Sequence, residues 1–207
     1  MERKITHFIE NFRRVFIFFS KLIIFINYCS DINILLFSYF RLNVIHRKNF
    51  IHRDFHSGNI LKQYLDRWLI ADLGLSQPSN NTSLNNEIYG VIPYIAPEIF
   101  KGATFSKESD IYSMGMIMWE LTTGCKPFAN VDHDTNLIYK IIDGERPKIT
   151  DDTPECFANL MKRYWDSDSK RPPIAEFKEI VVDLYVGCQF DTYTEEFNQV
   201  EIKRLEF

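Results

Sequence analysis

No glycine precedes Gly58 in this 207-residue chain, so no glycine-rich loop able to wrap a phosphate group can lie in its first quarter. Cysteine is sparse as well. Cys29, Cys125, Cys156 and Cys188 are scattered without a Cys-x-x-Cys pair, which argues against a zinc ribbon or a redox dithiol and fits packed thiols in a reducing compartment. Nor is there a basic excess: a net charge of −4 and a pI near 5.8 leave no surplus of cations for phosphodiester backbones, and no nucleic-acid partner is expected. The apolar run at 15–26 is interrupted by Ser20 and Lys21. It is shorter than the roughly 18–20 residues of a spanning helix, so a cytoplasmic chain is the main expectation and membrane attachment through 15–26 the minor one.

What is present is an ordinary globular balance, 45% hydrophobic and 25% charged, on a length that suits one large domain. From Asp31, the apolar positions Ile32, Leu35, Leu36, Tyr39, Phe40, Val44 and Ile45 follow the spacing of an amphipathic helix, with His46-Arg47-Lys48-Asn49 placing cations at its C-terminal end. Ile60-Leu61 and Trp68-Leu69-Ile70-Ala71 read as two strands around a polar turn at Asp66-Arg67. Residues 76–90, rich in Ser, Asn and Thr, read as a flexible loop. Asp110 to Leu121 is apolar nearly all round, the mark of a buried central helix, and Gly124 and Pro127 end it. Further helices are expected at Thr135 to Asp143, Pro154 to Trp165 and Ile174 to Val186, the last after Pro172-Pro173.

The densest chemistry lies in Ile51-His52-Arg53-Asp54-Phe55-His56-Ser57-Gly58-Asn59-Ile60. Apolar residues bracket an acid, Asp54, and a carboxamide, Asn59, which a tight loop freed by Gly58 can aim at one ligand; a polar surface turn is the plain alternative. Asp72-Leu73-Gly74 and Ala96-Pro97-Glu98 follow in order, with Arg171-Pro172 far downstream. In that order and spacing, His52-Arg53-Asp54 with Asn59, then Asp72-Leu73-Gly74, then Ala96-Pro97-Glu98, resembles the eukaryotic protein kinase family over about residues 30 to 185.

The resemblance implies the family's α+β fold, represented here by the mostly α-helical large C-terminal lobe with a short β-hairpin. It implies ATP and Mg²⁺ as cofactors and a protein substrate. Asp54 would be the catalytic base, with Arg53 and Asn59 beside it; Asn59 and Asp72 would hold the metal and, through it, the nucleotide. Structural roles would fall to His52, to Gly74 in the metal-binding turn, to Asp110 as a cap beneath the catalytic loop, and to Glu98 with Arg171 as an internal ion pair. Arg53 would also receive a phosphorylated residue of the 76–90 loop, for which Ser79, Thr82, Ser83 and Tyr89 are candidates.

Departures from the family pattern set the remaining expectations. Neither Lys4 nor Lys21 stands in a Val-Ala-Ile-Lys context, so the small lobe is expected to be largely missing, with 1–30 an apolar segment, 31–186 the large lobe and 187–207 a tail. A fragment of a longer kinase, a truncated non-catalytic interaction module and a small lobe supplied by another chain are the three readings, the composition of 1–30 favouring the first. His56 and Val91 stand where serine/threonine members usually carry lysine and threonine, and the tyrosine-kinase hallmarks are absent too. Tyr164-Trp165-Asp166, Lys170-Arg171-Pro172 and Gly144-Glu145-Arg146-Pro147 resemble the tyrosine-kinase-like group, which implies serine/threonine phosphorylation. The expected function is therefore transfer of the ATP γ-phosphate to protein hydroxyls, with a pseudokinase-like interaction module as the alternative.

Overall fold

A computed structural model describes residues 32–64, 67–80, 87–151, 153, 155–167, 170–179 and 182. The apolar segment 15–26, Lys4, Lys21, Asp66, Thr82, Ser83, Cys29, Cys188 and the tail lie outside these residues, as does much of the stretch after 179. The described part is mostly helical, with two small antiparallel sheets.

The first described helix, α1, covers 32–47, and its buried residues Ile32, Leu35, Tyr39, Leu42 and His46 advance in alternating steps of three and four along one stripe. That stripe is narrower than the apolar positions suggest: Phe40 and Val44, one residue around the cylinder from it or beyond, are 46% and 55% exposed. Asn49, at φ 58°, takes the left-handed conformation an asparagine tolerates and turns the chain out of the helix.

Strand β1 (Phe50–Ile51) pairs with β4 (Gln77–Pro78), and β2 (Ile60–Gln63) pairs with β3 (Arg67–Ile70) in register Ile60 to Ile70 and Leu61 to Leu69. Both strands of the second pair reach further than their apolar residues indicate. Lys62 and Arg67 join because ladder hydrogen bonds do not depend on polarity, and the Lys62 ammonium lies over the Trp68 ring across the pair, 5.8 Å from its centroid. The strand at Gln77–Pro78 corrects the reading of 76–90 as wholly loop. Two residues show no periodicity, and only the partner edge at Phe50–Ile51 makes them a strand.

Four helices follow: α2 (Pro97–Phe100), α3 (Lys107–Thr123), α4 (Thr135–Ile142) and α5 (Glu155–Tyr164), with helical residues again at 174–179. Helix α3 begins earlier than its apolar run because Ser106 and Ser109 exchange side-chain and backbone hydrogen bonds in a capping box; Gly124, at φ 67°, closes it. Every residue from Ser109 to Met118 is buried, so α3 is the axis of the core, with α1 residues Leu35 and Tyr39, α5 residues Leu160 and Met161, and Phe177 in the same cluster. α4 and α5 are one-faced helices, burying Leu137 and Ile141, and Phe157, Leu160, Met161 and Tyr164.

Two features lock this arrangement. A Cβ on Gly115 would lie 2.9 Å from Tyr164 Cβ and 2.9 Å from Trp165 Nε1, so the close approach of α3 to the end of α5 exists only because residue 115 has no side chain. The second is the Arg171 guanidinium, which grips both Glu98 oxygens at 2.5 and 2.8 Å and also donates to the carbonyls of Asp166 and Glu108. Tyr112 carries two cation–π contacts, the guanidinium carbons of Arg171 and Arg146 lying 5.1 and 5.2 Å from its ring centroid. Burial pushes the Tyr112 hydroxyl's pKa well above its ordinary value, so it stays neutral.

Gly115→Ala should overpack the contact between α3 and α5 and lower unfolding free energy by about 1–3 kcal/mol in urea titrations. Arg171→Met, which leaves the Glu98 carboxylate without its two-pronged partner, should cost about 3–5 kcal/mol in the same assay; a loss within experimental error would show that the pair does not hold α2 to the segment after α5.

Candidate active site

The site is built outward from the N-terminal end of α3, where Asp110 is 1% exposed. Its Oδ2 accepts the His52 backbone N–H at 2.8 Å and its Oδ1 the Arg53 N–H at 3.0 Å, while His46 Nε2, on α1, lies 2.8 Å from Oδ2. Three donors satisfy one buried carboxylate and fasten the loop to α3 and α1 together. Arg53 sits at φ 73°, outside the ordinary range for a side chain that is not glycine. That conformation costs roughly 1–3 kcal/mol and persists only where the surroundings dictate it; here the two pinned amides do so.

His52 is fully buried, and its ring bridges the loop to the neighbouring hairpin. The Asp54 N–H donates to Nδ1 at 3.3 Å, which assigns the ring proton to Nε2 and makes that atom the donor to the Ala71 carbonyl at 3.3 Å. The Ala71 N–H in turn donates to the Asn59 carbonyl at 2.7 Å. Continuation of the β2–β3 pairing by this bond therefore brings Asn59 opposite Ala71 and next to Asp72.

Asn59 Nδ2 donates to the Asp54 carbonyl at 2.9 Å and approaches Asp54 Oδ2 at 3.3 Å, so the two residues form one unit. With the amide nitrogen so engaged, the Asn59 side-chain oxygen is left as an acceptor. Asp72 adopts φ 54°, and one of its oxygens takes the Gly74 N–H at 3.2 Å, which leaves the other open. A Cβ on Gly74 would stand 3.1 Å from that Asp72 oxygen. Two hard oxygen donors, one neutral and one anionic, suit a magnesium ion whose other positions go to phosphates and water. Among the described residues no group of three or more His, Cys, Asp or Glu forms an all-protein metal cage.

The facing wall is the segment before α2. Gly90, at φ 115°, is where a Cβ would come within 3.1 Å of Asp54 Oδ1, so only glycine allows the chain to pass the carboxylate. Beyond it the Tyr94 carbonyl accepts the Ser113 hydroxyl at 2.7 Å, tying this wall to α3. The Tyr94 hydroxyl donates to Glu120, and burial, then that bond, raises its pKa. Lys126 completes a ring, reaching Glu120 at 2.5 Å and Ser57 Oγ in the loop at 2.7 Å, with Ser57 Oγ 3.4 Å from the Tyr94 hydroxyl.

Asp54, Asn59, Asp72 and Gly74 thus come together, with His52 and Asp110 beneath them. Glu98 and Arg171 belong to the fold, away from this cluster, through their own pair. Arg53 is 9% exposed with its guanidinium 4.7 Å over the Phe105 ring, and burial lowers its pKa; no hydrogen bond among the described residues joins it to Ser79 or Tyr89, both of which are exposed. Sequence reasoning missed the role of His46, read only as one of the cations at a helix C-terminal end, and the ring of Tyr94, Glu120 and Lys126. The alternating three-four spacing that carries His46 onto the buried stripe was the available signal; the ring left none, because its members come from three separate segments.

Residues 41–184 match the family model described as protein tyrosine and serine/threonine kinase. Similar curated proteins include serine/threonine-protein kinase STY46 of Arabidopsis thaliana, 29% identical over 69% of this chain and 24% of its own length. Mitogen-activated protein kinase kinase kinase 13-B of Xenopus laevis is 30% identical over 71% of this chain and 15% of its own, and putative serine/threonine-protein kinase/receptor R831 of Acanthamoeba polyphaga mimivirus is 31% identical over 80% and 10%. The chain spans a quarter or less of the length of each of these relatives.

Asp110→Ala removes the acceptor of two buried amides. Each orphaned donor costs about 1–3 kcal/mol, so the variant should be destabilised by several kcal/mol and should show faster hydrogen exchange at the His52 and Arg53 amides than at those of α5. Uniform loss of protection across the chain would mean that Asp110 supports the fold generally rather than the loop.

Proposed function

Because the chain belongs to the protein tyrosine and serine/threonine kinase family, we propose that it carries the catalytic half of an ATP-dependent protein kinase and transfers the γ-phosphate to a serine or threonine hydroxyl of a protein substrate. One observation carries the reading. Asp54 and Asn59 form one hydrogen-bonded unit, and the Ala71 N–H bond to the Asn59 carbonyl sets the neighbouring residue, Asp72, beside that unit: a carboxylate that could receive a hydroxyl proton, next to an amide oxygen and a second carboxylate suited to a hard cation.

Bound Mg²⁺-ATP would supply the transferable phosphoryl group and neutralise its developing charge. The chain's own part is positioning. Asp54 accepts the substrate hydroxyl proton and aligns its oxygen; Asn59, held against Asp54 by its amide, and Asp72, held by the Gly74 N–H, offer oxygens to the metal. Arg53 is the cation nearest the base in sequence, and a phosphate on Ser79 or Tyr89 would have to draw its guanidinium from Phe105 to engage it. The serine/threonine assignment draws on the names of two relatives, the serine/threonine-protein kinase of Arabidopsis thaliana and the putative serine/threonine-protein kinase/receptor of the mimivirus.

Asp54→Asn keeps the shape and removes the base, so phosphate transfer from labelled ATP to a generic protein substrate should fall roughly 100- to 10,000-fold. Undiminished transfer would sink the assignment. Mg-ATP at 100 times its dissociation constant should stabilise the chain by about 2.7 kcal/mol, a rise in Tm of roughly 5–10 °C, and Asp72→Ala should abolish that rise. A well-folded chain that shows no shift would instead be a non-catalytic interaction module.

A further inference from the structure

We propose that His56 is a positioning residue for Asp54, gripping the carboxylate oxygen that Asn59 does not hold. The inference rests on the kinase reading for its catalytic consequence, and on geometry alone for the contact. The His56 ring folds back over the loop, where its Nδ1 accepts the Gly58 N–H at 3.1 Å. An imidazole that accepts at Nδ1 carries its proton on Nε2, and Nε2 lies 3.6 Å from Asp54 Oδ1. That distance is a close polar contact just outside hydrogen-bond range.

Asp54 Oδ1 needs such a partner. It is buried and has no hydrogen bond, whereas Oδ2 faces the Asn59 amide at 3.3 Å. A buried carboxylate oxygen without a donor costs free energy, and His56 Nε2, 3.6 Å away, is the basic nitrogen paired with it among the described residues. Other groups are kept away: Gly90 offers no side chain beside Oδ1, and the Tyr94 hydroxyl, whose ring lies tilted against that of His56 at 5.8 Å between centroids, is committed to Glu120. Each carboxylate oxygen accepts two hydrogen bonds, so a grip by His56 and Asn59 leaves lone pairs for the substrate proton.

Gly58 is what allows the ring into place. A Cβ there would come within 2.8 Å of His56 Cε1 and 2.9 Å of Nδ1, so any side chain at 58 displaces the ring that aims Nε2. The residue pair His56 and Gly58 therefore acts as one device: a short, rigid, neutral donor standing at the place where serine/threonine kinases usually carry a lysine.

The test uses the full chain. In histidine side-chain ¹⁵N NMR, His56 should be the Nε2-protonated tautomer, and its Nε2–H signal should shift in Asp54→Asn. In phosphate transfer, His56→Ala should lower kcat about 10- to 100-fold with little change in KM for ATP, His56→Phe should remain low because it keeps the ring without the donor, and His56→Lys should restore most of the rate. Gly58→Ala should reproduce the His56→Ala loss, and the double variant should add nothing to it. A proton on Nδ1, or an Nε2–H signal indifferent to Asp54→Asn, overturns the contact whatever the activity. Equal kcat in His56→Ala and an active wild type overturns the positioning role and leaves the kinase reading standing, whereas a wild type that transfers no phosphate overturns the kinase reading and leaves the NMR result to decide the contact.

Discussion

One buried carboxylate governs the architecture of the site. Asp110 is taken out of water at the start of the central helix, and a charge so placed is tolerable only if donors converge on it. The two amides of His52 and Arg53 and the ring of His46 provide them. The consequence reaches beyond Asp110 itself: satisfying it fixes the backbone of the loop, forces Arg53 into a left-handed conformation and so determines where Asp54, the next residue, presents its side chain.

From that anchor the geometry propagates through hydrogen bonds of ordinary strength. His52 passes it to Ala71, Ala71 to Asn59, and Asn59 back to Asp54, so Asp54 and Asn59 share one closed circuit across the loop and the hairpin, with Asp72 next in the chain after Ala71. A circuit of this kind is stiff because each polar group has little else to bond to in the interior. The same principle appears where Arg171 and Glu98 satisfy one another and the Tyr112 ring takes the guanidinium groups of Arg171 and Arg146 against it. Glycines act at the points where side chains would prevent contact: Gly90 beside Asp54, Gly58 beneath His56, and Gly115 between α3 and Tyr164.

Much of this was legible beforehand, and unevenly so. The buried helix at Asp110 to Leu121 was readable because apolar residues all round a helix have only one environment to go to. Asp54, Asn59 and Asp72 stood out because acids and amides in fixed order have few other uses. What stayed hidden depended on neighbours remote in sequence. His46 read only as one of the cations at a helix C-terminal end until Asp110, 64 residues on, gave it a buried partner. His56 looked like a departure from a motif until the ring was seen folded over Gly58 and facing an oxygen with no other donor.

Residue type and spacing alone pointed to the family and the helical character of the chain and singled out Asp54, Asn59 and Asp72 as candidates, since these follow from local chemistry and period. The tertiary structure decided which polar groups are buried and which partner each one finds. That cannot be read from order along the chain, because the cost of burying an unpaired donor or acceptor is settled only when distant segments meet.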